Sequence, residues 1–268
     1  MTQHQFDPHR VFEPMVSSRY TDVLVTGCSF TFNYSRSHPA SWPYYLRDLA
    51  GLSRVRDASL CGSGCQHQFN SVINEIESDA TIDPSTTMVI VMWSGMSRTD
   101  VIADSVTVAD WMQQQRQTHS GQDLLDRHYQ LDHRFSTLAI PNYTVSPSGA
   151  MISDLRDLYK RVIHPEAQVL QSMINIVALA GYLDARGYAR MFLSWRDPGP
   201  DLDTVPGALA DRVRSLFDPV VPLGVFAEQR QQVDHTMHPT IDAHLAWTRE
   251  HLIPALRSRN LAQDPDAV

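Results

Sequence analysis

The sequence predicts an α/β fold built on a parallel sheet, and two observations carry that prediction. Short apolar runs alternate with helical patterns through the first half of the chain, the order that βα units require. The run Met88-Val89-Ile90-Val91-Met92 is apolar throughout, as strands covered on both faces are. With 268 residues and no internal repeat, the chain reads as one domain rather than two.

The elements follow in order. Val23-Leu24-Val25-Thr26 is a buried strand ending at Gly27. Trp42, Tyr45, Leu46 and Leu49 share one helix face, with Ser41 as cap, Pro43 in the first turn and Gly51 as the stop. Val55 to Ala58 is a second strand, and Phe69, Val72, Ile73 and Ile76 mark the helix after it. Met88 to Met92 is the third and central strand. From about Arg98 to Pro165 the pattern loses regularity: Trp111-Met112 has a short helical pattern and Ala139 to Ala150 is rich in turn residues. A segment of this length between core elements is an insertion or lid, here at about 99–165. Val169 to Ala185 is then an apolar helix closed by Gly187, and Met191 to Ser194 a fourth strand. Leu209, Val213, Leu216 and Phe217 mark a helix, Val220 to Ala227 a fifth strand, and Thr240 to Leu256 a final helix containing Pro254. The tail 262–268 is expected to fray.

Composition removes several function classes. Thirty acidic against 22 basic residues give a net charge of −8, and no Lys/Arg stripe offers a phosphate-binding face, so no nucleic-acid partner is expected. The longest apolar runs fall far short of the roughly 20 residues of a membrane span, and Met1 to Tyr20 lacks the order of a signal peptide; no membrane partner is expected and the location expected is cytoplasmic. Cys28, Cys61 and Cys65 agree with a reducing compartment. The C-x₃-C spacing has no second pair, so these read as small buried thiols and not as a metal site.

In open parallel sheets, reactive residues collect at the carboxyl ends of the strands. The first end is Gly27-Cys28-Ser29-Phe30-Thr31, where the glycine allows a tight turn and exposes Ser29 near a helix start, as a nucleophile or as a cap. The second is Ala58-Ser59-Leu60-Cys61-Gly62-Ser63-Gly64, where Gly62 N–H can serve an oxyanion or the glycines simply make a turn. The third is Trp93-Ser94-Gly95-Met96-Ser97-Arg98, with a small hydroxyl and a guanidinium beyond the strongest strand. Trp93 and Arg98 are candidates to line a substrate pocket, and arginine favours a carboxylate or phosphate. Far downstream, Asp234-His235-Thr236-Met237-His238-Pro239-Thr240 precedes the last helix. A nucleophilic serine needs a base, and histidine titrates near neutrality.

In this order, the segments resemble the SGNH hydrolases, also called GDSL esterases or lipases. The resemblance implies a three-layer, doubly wound, flavodoxin-like sandwich with five mostly parallel strands in the order 2-1-3-4-5. It also implies Ser29 as nucleophile, Gly62 as an oxyanion donor and His238 as the base. Three blocks depart from the family pattern. Cys28 stands where the family has Asp. In the third block, Ser97 takes the position of an Asn oxyanion donor. The last block has His235 where an Asp is usual and Asp234 one residue earlier; a carboxylate stabilises an imidazolium and an imidazole only orients it, so Asp234 is the expected third member. The oxyanion hole expected is Ser29 N–H, Gly62 N–H and Ser97. The activity implied is cleavage of an ester or O-acyl group of a small molecule or carbohydrate, with no cofactor. The alternatives are an acyltransferase at the same site, a non-catalytic binding protein of the same fold, and a metal-dependent hydrolase using Asp234, His235, His238 and His244.

Overall fold

The structure is a computed structural model that describes residues 16–31, 40–59, 63–96, 99–103, 136–140, 164–234 and 237–263. A four-stranded sheet holds it together: β2 (Asp22–Gly27), β3 (Arg54–Asp57), β4 (Thr87–Trp93) and β7 (Ala189–Ser194), in the spatial order β3-β2-β4-β7 and parallel throughout. In order of appearance these strands stand 2-1-3-4, the expected arrangement for the four present. Strand β2, which carries Ser29 at its end, is interior. Two further pairings, both antiparallel, lie outside this sheet: β5 (Thr99–Ala103) with β6 (Ser136–Ile140), within the stretch expected as an insertion, and β1 (Ser17–Ser18) with β8 (Ala262–Gln263).

Period-two alternation sorts the strands' side chains onto two faces. Val23 and Val25, Met88, Ile90 and Met92, and Met191 and Leu193 enter one core, with α1 (Trp42–Leu49) and the C-terminal helices. Leu24, Val89, Val91, Trp93 and Phe192 enter the other, with α2 (Cys65–Ser78), α3 (Pro165–Ala185) and α5 (Ala208–Leu216). The short α4 (Gly199–Asp203) lies between β7 and α5. Helices therefore cover both faces of the sheet. No described helix is long and apolar enough to cross a membrane.

Most sequence-derived helices sit within a few residues of their expected places. Ser41 precedes α1, but its hydroxyl makes no capping bond; the N–H groups of Tyr44 and Tyr45 reach its carbonyl instead. After α3, Gly187 takes φ +77, a left-handed turn that a side chain would strain. The final helix is in three parts: α7 (Ile241–Trp247), a π turn (Thr248–Leu252) and α8 (Ile253–Ser258). Pro254 has no N–H to offer the preceding turn, and the helix widens there.

Three expectations change. The fifth strand expected within Val220 to Ala227 is instead helix α6 (Leu223–Gln229). Pro219 and Pro222 bracket Val220-Val221 and withhold the N–H groups a ladder needs, while Leu223, Phe226 and Ala227 are buried at helical spacing. The turn-rich stretch from Ala139 begins inside β6. The tail expected to fray from Ala262 opens with two residues paired to β1, a pairing of chain ends that no local pattern encodes. The helical pattern at Trp111-Met112 and residues 264–268 lie outside the described residues.

Candidate active site

Strand β2 delivers Ser29 through a tight turn in which the Thr31 N–H bonds the Cys28 carbonyl at 2.9 Å. Gly27 makes this turn possible. A Cβ there would fall 2.1 Å from Thr31 Oγ1, 2.7 Å from Thr31 Cβ and 3.2 Å from the Met92 carbonyl. Thr31 is fully buried, and its hydroxyl accepts from Trp42 Nε1 at 3.4 Å. The Gly27 carbonyl accepts from Ser63 Oγ at 3.0 Å, which ties the first strand end to the second. Cys28 is a free thiol buried in the core, a small apolar filler in the slot where the resembling family has a carboxylate. Residues 32–39, where the helix expected to follow Ser29 would lie, are outside the described residues.

The second half of the site comes from the turn before α7. Val233 and Pro239 form an antiparallel bridge, and Thr240 N–H reaches the Gln232 carbonyl at 2.9 Å. Inside that closure, Asp234 N–H donates to the His238 carbonyl at 2.8 Å and Met237 N–H to the Asp234 carbonyl at 3.0 Å. Thr240 then caps α7, its hydroxyl accepting from Ala243 N–H. Presented this way, His238 Nε2 lies 2.7 Å from Ser29 Oγ, across 209 residues of sequence. The hydroxyl is almost wholly buried and the imidazole half-buried.

Aromatic packing holds the base from one side. The Phe30 ring is 5.2 Å from that of His238 and 4.4 Å from that of Trp195, so Phe30 is wedged between the two. Trp195, just beyond β7, is fixed by its carbonyl, which accepts from Gly224 N–H at 2.8 Å. Arg196 stacks over Trp195 and pairs with Asp201 at 3.1 Å. Buried His244 accepts the Trp42 N–H on Nδ1 at 3.3 Å. Burial first, and the charge of nearby His238 second, push its pKa down to about 3, so it is neutral beside the base.

The sequence-derived site residues fare differently. Ser29 and His238 meet. The Asp234 carboxylate accepts from the main-chain N–H of His238 at 3.1 Å. Trp93, expected to line the pocket, is fully buried and packs edge-on against Phe192 at 5.4 Å; strand alternation turns it into the core. Gly62, Ser97, Arg98 and His235 lie outside the described residues. Among the described residues no group of three His, Cys, Asp or Glu side chains is placed to hold a metal ion.

The sequence reading missed a buried polar frame behind the third strand end. Gln68 is fully buried; its Oε1 accepts from Ser94 N–H at 3.1 Å and its Nε2 donates to the Met92 carbonyl at 3.3 Å. Met96 is clamped from both sides, its N–H on Asp201 Oδ2 at 2.9 Å and its carbonyl on Ser172 Oγ at 2.8 Å. The loop that leads to Ser97 therefore starts from a fixed position. Gln68 had a legible signal: it is the polar member of the buried stripe Cys65, Gln68, Val72, Ile76, and a polar side chain on such a stripe must find partners. Beside the second strand end, burial raises the Asp57 carboxyl to about 6 against two bonds from Ser59, and lowers His67 to about 4.

No family model matches the chain, and no curated protein matches it. Among solved structures, the chain is similar to a candidate lipolytic protein of the G-D-S-L family from Desulfitobacterium hafniense DCB-2. The identity is 14%, over 85% of this chain and 96% of that one, with a TM-score of 0.30. The fold assignment rests on the strand order and layers described above, not on this likeness.

Proposed function

We propose that the chain is a serine acyl hydrolase acting on an ester or O-acyl group of a small molecule or carbohydrate. The observation that carries this reading is the 2.7 Å approach of His238 Nε2 to Ser29 Oγ, at the carboxyl end of an interior parallel strand, where this architecture gathers its reactive groups. A serine hydroxyl is a weak nucleophile until a base within hydrogen-bond reach takes its proton.

Ser29 Oγ attacks the acyl carbon as its proton passes to His238 Nε2. The carbonyl oxygen becomes an oxyanion, received by the N–H groups of Ser29 and Gly62 and the hydroxyl of Ser97. On collapse the C–O bond to the leaving alcohol breaks, and Nε2 returns the proton to that alcohol. Water then repeats the sequence on the acyl-enzyme and releases the acid. Phe30 packs against the imidazole, and Asp234 supports the turn that carries it. His244 fits the same scheme, because a neutral neighbour does not oppose the imidazolium formed in the first step.

The test is a fluorophosphonate probe, with mass spectrometry of the labelled peptide and a panel of short acyl p-nitrophenyl esters. Labelling at Ser29, with turnover abolished in Ser29→Ala, is the expected result. A folded wild-type protein that neither labels nor turns over any ester would overturn the reading in favour of a binding protein.

A further inference from the structure

Resting on the Ser29–His238 reading, we infer that Arg196 binds a carboxylate on the substrate and so selects acidic esters. Three neighbouring strands of the sheet set the geometry. Gly27 on β2 is level with Met92 on β4, and Trp93 on β4 is level with Ser194 on β7. Ser29 lies two residues beyond Gly27, and Arg196 two beyond Ser194. Both therefore stand at the same carboxyl edge of the sheet, two strands apart, a separation of roughly 10 Å. Stacked groups join the two positions. The Phe30 ring lies 5.2 Å from His238 and 4.4 Å from Trp195, and Arg196 Cζ sits 5.3 Å from the centre of the Trp195 ring.

The guanidinium is held on three sides. Trp195 stacks against it. A Cβ on Gly95 would stand 3.1 Å from Nη2, 3.5 Å from Cζ and 3.7 Å from Nε, so the group rests on main chain where no side chain intervenes. Nη2 donates to the Asp201 carboxylate, at 3.3 Å to Oδ1 and 3.1 Å to Oδ2. Oδ2 also accepts from Met96 N–H at 2.9 Å, which fixes the acceptor itself. A long side chain fixed in advance has already given up its rotamer freedom, and a ligand that binds it does not have to supply that cost.

This hold uses one nitrogen. A guanidinium presents donors on all three, and among the described residues Nε and Nη1 have no hydrogen-bond partner. The Arg196 side chain is 43% exposed and that of Asp201 16%, so a ligand can reach donors that the protein leaves unspent. A half-exposed ion pair adds little to stability, and stability alone does not account for the arrangement. The adjacent Asp197 carboxylate accepts from Gly199 N–H at 2.9 Å. One guanidinium offers one positive charge, and a carboxylate is its planar, singly charged match.

Two ester series test this, each pairing an acid with its neutral methyl ester. The p-nitrophenyl half-esters of glutaric to suberic acid carry the carboxylate on the acyl side, and p-acetoxybenzoate carries it on the alcohol side. The readout is the ratio of kcat/KM for acid over methyl ester, so a general loss of activity in a variant cancels. In wild type the ratio should reach about tenfold in one series, the lower end for a hydrogen bond to a charged group, and should appear in KM. It should fall to near one in Arg196→Met and Arg196→Gln; R196Q can still donate to Asp201 and covers the case in which R196M does not fold. A wild-type ratio near one in both series, or a ratio that survives these substitutions, would overturn the inference and leave the hydrolase reading intact. If wild type neither labels nor turns over, the hydrolase reading fails and calorimetric titration with monomethyl adipate decides alone. Binding that is lost in R196Q then supports the carboxylate site; no binding, or equal binding in both proteins, refutes it.

Discussion

Gly27→Ala places a single methyl where the nucleophile turn has no room. The new Cβ would stand 2.1 Å from Thr31 Oγ1 and 2.7 Å from Thr31 Cβ, with the Met92 carbonyl at 3.2 Å behind it. An ordinary carbon–oxygen contact is longer than 3 Å, so one of these groups must move by about an ångström. Thr31 is fully buried and bonded to Trp42, and Met92 belongs to the central strand; neither yields cheaply. Overpacking of this kind costs about 1–3 kcal/mol and sometimes more, and a clash hemmed in on both sides belongs at or above the upper figure. For a chain of this size that is a drop in Tm of about 6–12 °C. Urea unfolding of G27A, Thr31→Gly and the double variant makes a cycle: removing the Thr31 side chain should recover more than about 1 kcal/mol of the G27A loss. Ester turnover should fall with G27A and return in part in the double variant. A G27A protein within about 1 kcal/mol of wild type, with undiminished turnover, would refute this account of the turn.

Gln68→Leu leaves the Ser94 N–H and the Met92 carbonyl buried without their partner, and should cost about 2–5 kcal/mol in urea unfolding. Phe30→Leu removes the ring wedged between His238 and Trp195 and should lower kcat/KM several-fold or more by loosening the base; an unchanged kcat would count against the wedge. Acid sensitivity should trace partly to His244. Its folded pKa of about 3 lies below the ordinary 6.5, so the unfolded chain binds the extra proton, and the contribution is full above pH 6.5 and lost as pH falls towards 3. His67, lowered to about 4, acts in the same direction. Asp57, raised from 3.8 to about 6, acts oppositely, its contribution being full below 3.8 and lost as pH rises through 6. His244→Asn should therefore flatten stability against pH between about 6 and 4 by up to about 1.4 kcal/mol per unit, which chemical denaturation at stepped pH would measure.

The central strand and its neighbours were legible because their information is local. Five consecutive apolar residues from Met88 make a strand covered on both faces, and the spacing of Trp42, Tyr45, Leu46 and Leu49 makes one helix face, whatever lies elsewhere in the chain. The strand ends followed from these, and with them Ser29 as a candidate; His238 came from the cluster before the last helix, as the base a nucleophilic serine needs. Local pattern was a poor guide where a special residue set the backbone. Val220 to Ala227 has the apolar character of a strand, but Pro219 and Pro222 remove its donors and it winds into a helix. The pairing of Ser17–Ser18 with Ala262–Gln263 joins chain ends whose residues carry no mutual signal. Gln68 sat in plain view as a polar residue on an apolar stripe, yet its partners lie at the end of the central strand and just beyond it, 24 and 26 residues away. The spacing left Asp234 and His235 as rival partners of His238; the Asp234 carboxylate accepts the main-chain N–H of His238, and His235 lies outside the described residues. The sequence alone determined which residues occupy the strand ends, because alternation and periodicity are properties of neighbouring residues. That Ser29 and His238 stand 2.7 Å apart was decided only by the tertiary structure, because residues 209 positions apart in sequence meet only once the chain between them has stacked into one parallel sheet with helices on both faces.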